Sequence, residues 1–349
     1  MRFIHIADVH LGAQPEAGTA YSAKRPRELW DTFARIIDLC EVQHVDVLLI
    51  AGDLFHRQPL LRELKEVNYL FSKLTHTRVV FIAGNHDYVR KDSYYCTFKW
   101  NENVYPLLGA KMGCVEIPEF ELAVYGFSYH SRQITEECCN VKAPGKYRYE
   151  IMLAHGGDEK HIPLRKEALE TSGFDYIALG HIHKPAILME DHAAYSGALE
   201  PVDINDTGRH GYISGEISPA GTYAEFVPFA SREYIHLAFR VQESMSSGGV
   251  GDSVRDAVEK RGIHNIYKLV LRGLRDPEIV FDTDNMDIYG NILEIADETQ
   301  PAYNYQKLYV ENKENIIGKY IERFWACEDG SIERQALQEG VQALLENHL

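Results

Sequence analysis

Apolar and polar positions along the first third of the chain alternate between two periods. Residues 2–7 (RFIHIA), 45–51 (VDVLLIA) and 78–83 (RVVFIA) are apolar runs of strand length. The second is apolar almost throughout, as in a strand covered on both faces. Between these runs lie two stretches of helical period. One places Leu29, Phe33, Ile36, Ile37 and Cys40 on a stripe within 27–44; the other places Leu60, Leu64, Val67, Phe71 and Leu74 behind Pro59. Proline suits a helix start, where its missing N–H would have no intrahelical partner in any case. The order β-α-β-α-β predicts a layered α/β domain.

Later apolar runs are shorter and closer together: 122–127 (LAVYGF), 150–154 (EIMLA), 175–179 (DYIAL), 193–197 (AAYSG) and 211–217 (GYISGEI). They are expected to add antiparallel pairs and complete a two-sheet core flanked by helices. The stretch 218–233 is read as containing the exit from this first domain, 1–231. Beyond it, 234–241 alternates as a strand, 246–252 (SSGGVGD) reads as a flexible turn, 253–261 as a helix and 266–271 as a strand. These elements predict a small α/β domain over 232–330, and the tail 331–349 has helical spacing at Leu337, Val341, Leu344 and Leu345.

Composition excludes some classes. An apolar fraction of 45% and a charged fraction of 25% over 349 residues are ordinary for a soluble globular protein. No apolar run reaches the ~18 residues of a membrane span, and MRFIHIADVH lacks the apolar core of a signal peptide. The six cysteines form no CxxC pair, and Cys138 and Cys139 are adjacent, a spacing that suits neither a disulfide nor a zinc site. Reduced thiols and a cytoplasmic location are the expectation. The formal net charge of −16 argues against a broad basic surface for nucleic acid. It leaves room for a nuclease whose bound divalent metals supply the positive charge.

Chemistry concentrates where the strand signals stop. The run 78–83 breaks into Gly84-Asn85-His86-Asp87; 2–7 is followed by Asp8-Val9-His10, 45–51 by Gly52-Asp53, 150–154 by His155-Gly156-Gly157, and 175–179 by Gly180-His181-Ile182-His183. Singly, each cluster could be a turn or a structural histidine. Together they repeat carboxylates, an amide and imidazoles at the carboxyl ends of buried strands, where open α/β sheets place ligand sites. Burying so many polar groups is costly unless they are paired or bind metal. Two aspartates, one asparagine and four histidines make a mixed O/N set without thiolate, suited to Mn²⁺, Fe or Zn²⁺. Seven donors exceed what one ion with open positions takes, and fit two ions sharing a bridging carboxylate. A water between such ions becomes a nucleophile near neutral pH.

The order D-x-H, GD, GNHD, H-G and GHxH resembles the calcineurin-like metallophosphoesterases over roughly the first 230 residues. That resemblance implies a two-sheet sandwich with a small C-terminal cap and two divalent metal ions, Mn²⁺ foremost. It assigns one ion to Asp8, His10, Asp53 and His183, and the other to Asp53, Asn85, His155 and His181. His86 would act on the leaving oxygen, oriented by Asp87; alternatively Asp87 caps the following turn. FIHIADVHLG, AGDLFHRQ, IAGNHDY, LGHIHKP and YSGALEP resemble the SbcD-type DNA repair exonucleases, which makes His56 a second active-site histidine. DNA is then the expected substrate and a homodimer a possible assembly.

Two features depart from that branch. Only about 20 residues follow the cap, so partnership with an SbcC-type ATPase is doubtful, and 276–298 holds no Lys or Arg. Contacts to a phosphate backbone would fall to Arg57, Arg62, Arg90, Lys91 and Lys184, which could equally be solvated surface charges. Two other readings stand beside the nuclease: a phosphodiesterase or phosphatase for nucleotides and other small esters, and a non-catalytic subunit that binds DNA ends.

Overall fold

The apolar runs become strands whose side chains alternate between two cores. In chain order the elements of the first half are β1 (Arg2–Ile6), α1 (Arg25–Val42), β2 (Val47–Ala51), α2 (Leu61–Phe71), β3 (Arg78–Ile82), β4 (Val104–Pro106), β5 (Gly113–Ile117), β6 (Leu122–Gly126) and β7 (Tyr149–His155). Then follow α3 (Lys166–Glu170), β8 (Tyr176–Gly180), β9 (Ala186–Met189), β10 (Ala193–Tyr195), β11 (Gly211–Ser218) and β12 (Gly221–Pro228). The last part comprises β13 (Tyr234–Val241), α4 (Ser247–Arg261), β14 (Ile266–Arg275), β15 (Ile292–Pro301), α5 (Tyr305–Glu311), α6 (Ile316–Arg323) and α7 (Ile332–Glu346). The structure is a computed structural model that describes residues 1–19, 21–328 and 330–346. It divides into one unit of Met1–Ile235 with His264–Ile266 and another of His236–Ile263 with the chain from Tyr267 onward.

The first unit is the expected two-sheet sandwich flanked by helices. One sheet has the order β12-β11-β1-β2-β3-β4, the other β5-β6-β7-β8-β10-β9. Period-two alternation splits each strand between layers. Ile4, Ile6, Leu48, Ile50, Val79 and Phe81 face the stripes of α1 and α2, meeting Phe33, Ile36, Ile37, Leu64, Val67 and Phe71. Their neighbours Phe3, Val47, Leu49, Val80 and Ile82 face the second sheet and meet Leu122, Val124, Ile151, Leu153, Tyr176 and Ala178. Each such side chain contributes ~1.5–3 kcal/mol through burial. Because β1, β2 and β3 run parallel, as do β7 and β8, their carboxyl ends collect at one edge.

One expectation needs correction and two are refined. The later strands add the expected antiparallel pairs, β5–β6, β9–β10, β11–β12 and β1–β11, but β6, β7, β8 and β10 also form parallel ladders in the order β6-β7-β8-β10. Parallel neighbours usually announce themselves by a crossover helix with an apolar stripe. Here 127–148 crosses over without a helix and leaves no such signal. The stretch taken as the domain exit holds β12, which pairs with β11 along its whole length through a tight turn at Pro219-Ala220. Finally, the glycine-rich 246–252 is not a turn but the start of α4. Ser246 caps it by accepting from the Gly249 amide at 3.1 Å, and Val250, Val254 and Val258 bury one face. That burial exceeds the ~0.5–1 kcal/mol each interior glycine takes from a helix.

In the second unit the sheet order is β13-β14-β15. The tail helix α7 is part of this unit, packing Leu337 and Val341 against Ile317 and Ile321 of α6. No helix among the described residues is long and apolar enough to cross a membrane.

Candidate metal centre

Each of the seven candidate ligands closes a strand or lies within the few residues that follow one, and four of them sit on strained backbone. Asp8 (φ 49°), His10 (51°), Asp53 (50°) and His181 (93°) occupy the left-handed region without being glycine. That conformation costs ~1–3 kcal/mol per residue and persists only where the surroundings enforce it. Here they do: the Asp8 amide donates to the Gly52 carbonyl (3.1 Å), the His10 amide to the Asp53 carbonyl (3.0 Å), and the His181 amide to Asp8 Oδ2 (2.9 Å). Strain of this kind turns successive side chains toward one point.

Hydrogen-bond partners fix which nitrogen of each histidine is free. His155 donates from Nδ1 to the Ala51 carbonyl (2.8 Å), His181 from Nε2 to Asp158 (2.8 Å), and His183 from Nδ1 to Asp206 (3.0 Å). His10 Nδ1 faces His56 Nδ1 at 3.4 Å. When these rings are neutral, the opposite nitrogens of His155, His181 and His183 therefore carry lone pairs, and they converge with His10 Nε2. His10 Nε2 and His183 Nε2 lie 3.0 Å apart, while Asn85 Oδ1 sits 3.0 Å from His155 Nε2 and 3.1 Å from His181 Nδ1. Asp53 Oδ2 stands 3.4 Å from His155 Nε2 and 3.9 Å from His10 Nε2, between the two groups. Asp8 Oδ1 is buried with no hydrogen-bond partner among the described residues. Acceptors facing acceptors in a buried site repel unless a cation lies among them, so this donor set fits a pair of metal ions.

Charge in the protein alone points the same way. Burial opposes a charge on His155 and His183, yet Asp53 beside the first and Asp206 beside the second push both up to about 9. A proton then takes the place a metal ion would fill. Burial likewise opposes ionisation of Asp53, but His155 and His10 hold it well below the usual carboxylate range. Gly84 shows how tightly the donors are packed. A Cβ there would overlap Asp53 Oδ1 and stand 2.7 Å from His155 Nε2.

Residues 1–185 match the family model of the calcineurin-like phosphoesterases. The chain belongs to this family. Among its relatives, the uncharacterised metallophosphoesterase YhaO of Bacillus subtilis is 29% identical, covering 78% of this chain and 72% of its own length. The DNA double-strand break repair protein Mre11 of Methanocaldococcus jannaschii is 30% identical over 59% of this chain and 58% of its own. Mre11 of Aeropyrum pernix is 27% identical over 78% and 67%. The chain thus spans between about half and three quarters of these relatives. Calcineurin-like phosphoesterases hold a pair of divalent metals, which agrees with two clusters of facing donors.

Around this phosphoesterase centre lies a cavity of about 580 Å³, lined among others by His56, Arg57, His86, Tyr88, Arg90, Arg132 and His161. His86 donates from Nδ1 to the His56 carbonyl at 3.1 Å, which leaves Nε2 free. Asp87 does not orient it. Its carboxylate is fully buried and accepts from the Gly84 amide (2.8 Å), the Phe55 amide (3.2 Å) and the Tyr95 hydroxyl (2.8 Å). Burial, reinforced by Asp53, raises Asp87 to about 7. The role given to Asp87 passes to the His56 carbonyl, and Asp87 braces the turn that carries Asn85 and His86. Of the five basic residues singled out, Arg57 and Arg90 reach the cavity but are paired with Glu63 and Asp92. Arg62, Lys91 and Lys184 are exposed and do not line it.

Sequence reading missed Asp158, Asp206, Arg132 and His161. The first two fix the tautomers of His181 and His183, the outer layer on which metal affinity depends. Asp158 had a readable signal, standing three residues past His155 in HGGD. Asp206 had none, because it lies 23 residues beyond His183 in an irregular loop.

Proposed function

We propose that this chain is a metal-dependent nuclease acting on DNA, with the seven converging donors as its metal ligands. Asp8, His10, Asp53 and His183 would hold one divalent ion, Asp53, Asn85, His155 and His181 the other; the O/N set suits Mn²⁺, Fe or Zn²⁺, and the family resemblance puts Mn²⁺ first. When bound, such a pair supplies Lewis-acid polarisation of the phosphoryl oxygens and activates water. The chain's own residues do the rest. His86, its Nδ1 proton engaged with the His56 carbonyl, presents Nε2 to the cavity and in its protonated form donates to the leaving oxygen. His56, also at the cavity wall, faces His10 Nδ1 with its own Nδ1 at 3.4 Å and so backs the ring of that ligand.

The DNA reading is carried by the SbcD-type resemblance, which makes His56 a second active-site histidine, and in keeping with it His56 and His86 stand side by side, ring centroids 5.0 Å apart. The names of the Mre11 relatives support it. The second compact unit is then the cap expected over 232–330. A small-ester phosphodiesterase is the other reading, favoured by the net charge of −16. Digestion of end-labelled linear DNA with Mn²⁺ tests the proposal, with Asp53→Asn and His86→Ala alongside. Wild type should degrade DNA; Asp53→Asn should lose both metal and cleavage, and His86→Ala should lose turnover while keeping metal. Hydrolysis of bis(p-nitrophenyl) phosphate with DNA left intact would replace the nuclease by the small-ester enzyme.

A further inference from the structure

We infer that Arg132, with His161 beside it, forms a second phosphate subsite that seats a phosphate flanking the scissile one, so that the substrate class is a polynucleotide. The inference rests on the nuclease reading. Its starting point is the state of the cations around the cavity. Arg57 is held by both oxygens of Glu63 at 2.8 and 3.1 Å, and Arg90 by Asp92 at 3.0 Å. Arg132 also lines the cavity, and among the described residues it has no hydrogen bond and no carboxylate partner. It is a free guanidinium beside a metal centre in a chain of net charge −16.

The backbone of the loop that carries Arg132 is held in place. This loop is zipped to the loop carrying His161: the Ile134 amide donates to the Lys160 carbonyl at 3.0 Å, and the Ile162 amide to the Ile134 carbonyl at 2.7 Å. His161 gives Nδ1 to Asp158 at 2.9 Å, leaving Nε2 for the cavity it lines. Gln58, which also lines the cavity, ties its side chain to the Tyr88 carbonyl at 2.8 Å. The cavity of about 580 Å³ falls in the ~300–1,000 Å³ range of ligand pockets, more room than one tetrahedral phosphate needs. An unpaired guanidinium there matches a second phosphate by its planar fork of donors.

The test compares wild type, Arg132→Ala and Arg132→Lys on single-stranded DNA and on bis(p-nitrophenyl) phosphate, across salt concentrations. In Arg132→Ala the KM for DNA should rise about tenfold, and the DNA-to-small-ester ratio of kcat/KM should fall by the same factor. The salt slope should drop by the ~0.7 of one phosphate contact on a single strand. Arg132→Lys should restore the slope but not the full KM, since charge returns without the fork. Arg27→Ala, which removes a cation on α1, controls for overall charge and should leave the DNA KM unchanged. Thermal melts should show that the exposed substitution leaves the fold intact. An unchanged DNA KM and slope, or equal losses on both substrates, would overturn the subsite while leaving the nuclease standing. A wild type that cuts only the small ester would remove the nuclease reading and the subsite together.

Discussion

Asp206 offers a sharp test of how the donor set is held. Its Oδ2 accepts from His183 Nδ1 at 3.0 Å and from the Val202 and Asp203 amides at 2.9 and 3.2 Å. The two amides anchor the carboxylate, and its side chain is 12% exposed, so water screens it little. Replacing it with asparagine can keep an oxygen in the same place but removes the charge. A hydrogen bond to a charged partner is worth ~1.5–3 kcal/mol against ~0.5–1.5 for a neutral one. The difference, ~1–1.5 kcal/mol, corresponds to about a tenfold loss in affinity for the ion that His183 would hold. Asp206→Ala removes the acceptor altogether and should approach the ~100-fold upper end for such outer partners. At pH 7 a proton competes for the same nitrogen, because Asp206 helps raise His183 to about 9. Weaker basicity eases that competition and masks part of the loss, so the measurement belongs near pH 8.5. Calorimetric titration of chelator-stripped protein with Mn²⁺ should show two binding events, one weakened and one as in wild type. Isotherms identical to wild type, or equal weakening of both events, would refute the reasoning. Asp158→Asn is the mirror experiment and should weaken the other event through His181.

Other consequences follow from particular contacts. Gly84→Ala places a methyl against Asp53 and His155 and should destabilise the fold by ~1–3 kcal/mol while abolishing Mn²⁺ binding, both read from melts with and without metal. Asp87→Ala strands three buried donors, so it should lower stability by ~3 kcal/mol in denaturant titrations; loss of turnover at wild-type stability would return Asp87 to a direct role on His86. His5, fully buried, is pushed down by that burial to about 3, so its neutral form is the folded one. Its contribution is complete above the unfolded value of 6.5 and is lost as pH falls below it, by ~2 kcal/mol between pH 7 and 5. His5→Phe should flatten that part of the stability profile; an unaltered acid limb would show that His5 takes no part in it.

Much of the first sheet, and the polar residues that converge at its edge, were legible along the chain. Residues 45–51 and 78–83 are buried over nearly their whole length, and a strand buried on both faces is written in local composition. Asp8, His10, Asp53, Asn85, His155, His181 and His183 could be named because each follows such a run directly, and chemistry at strand ends survives in one dimension. Direction of pairing could not be read. The parallel partnership of β6, β7 and β8 depends on where 127–148 leads the chain, and that stretch has no periodicity to betray it. Glycines at 248, 249 and 251 misled for the opposite reason: local propensity favoured a turn, and the burial of Val250, Val254 and Val258 overrode it. Asp87 misled too, since adjacency to His86 in sequence says nothing of where a carboxylate turns, and its partners come from Phe55 and Tyr95. Asp206, Arg132 and His161 emerged only from the folded chain. Residue type and local order determine which groups can bind metal; which nitrogen each histidine offers, and which cation stays unpaired, are decided by contacts between segments far apart in sequence.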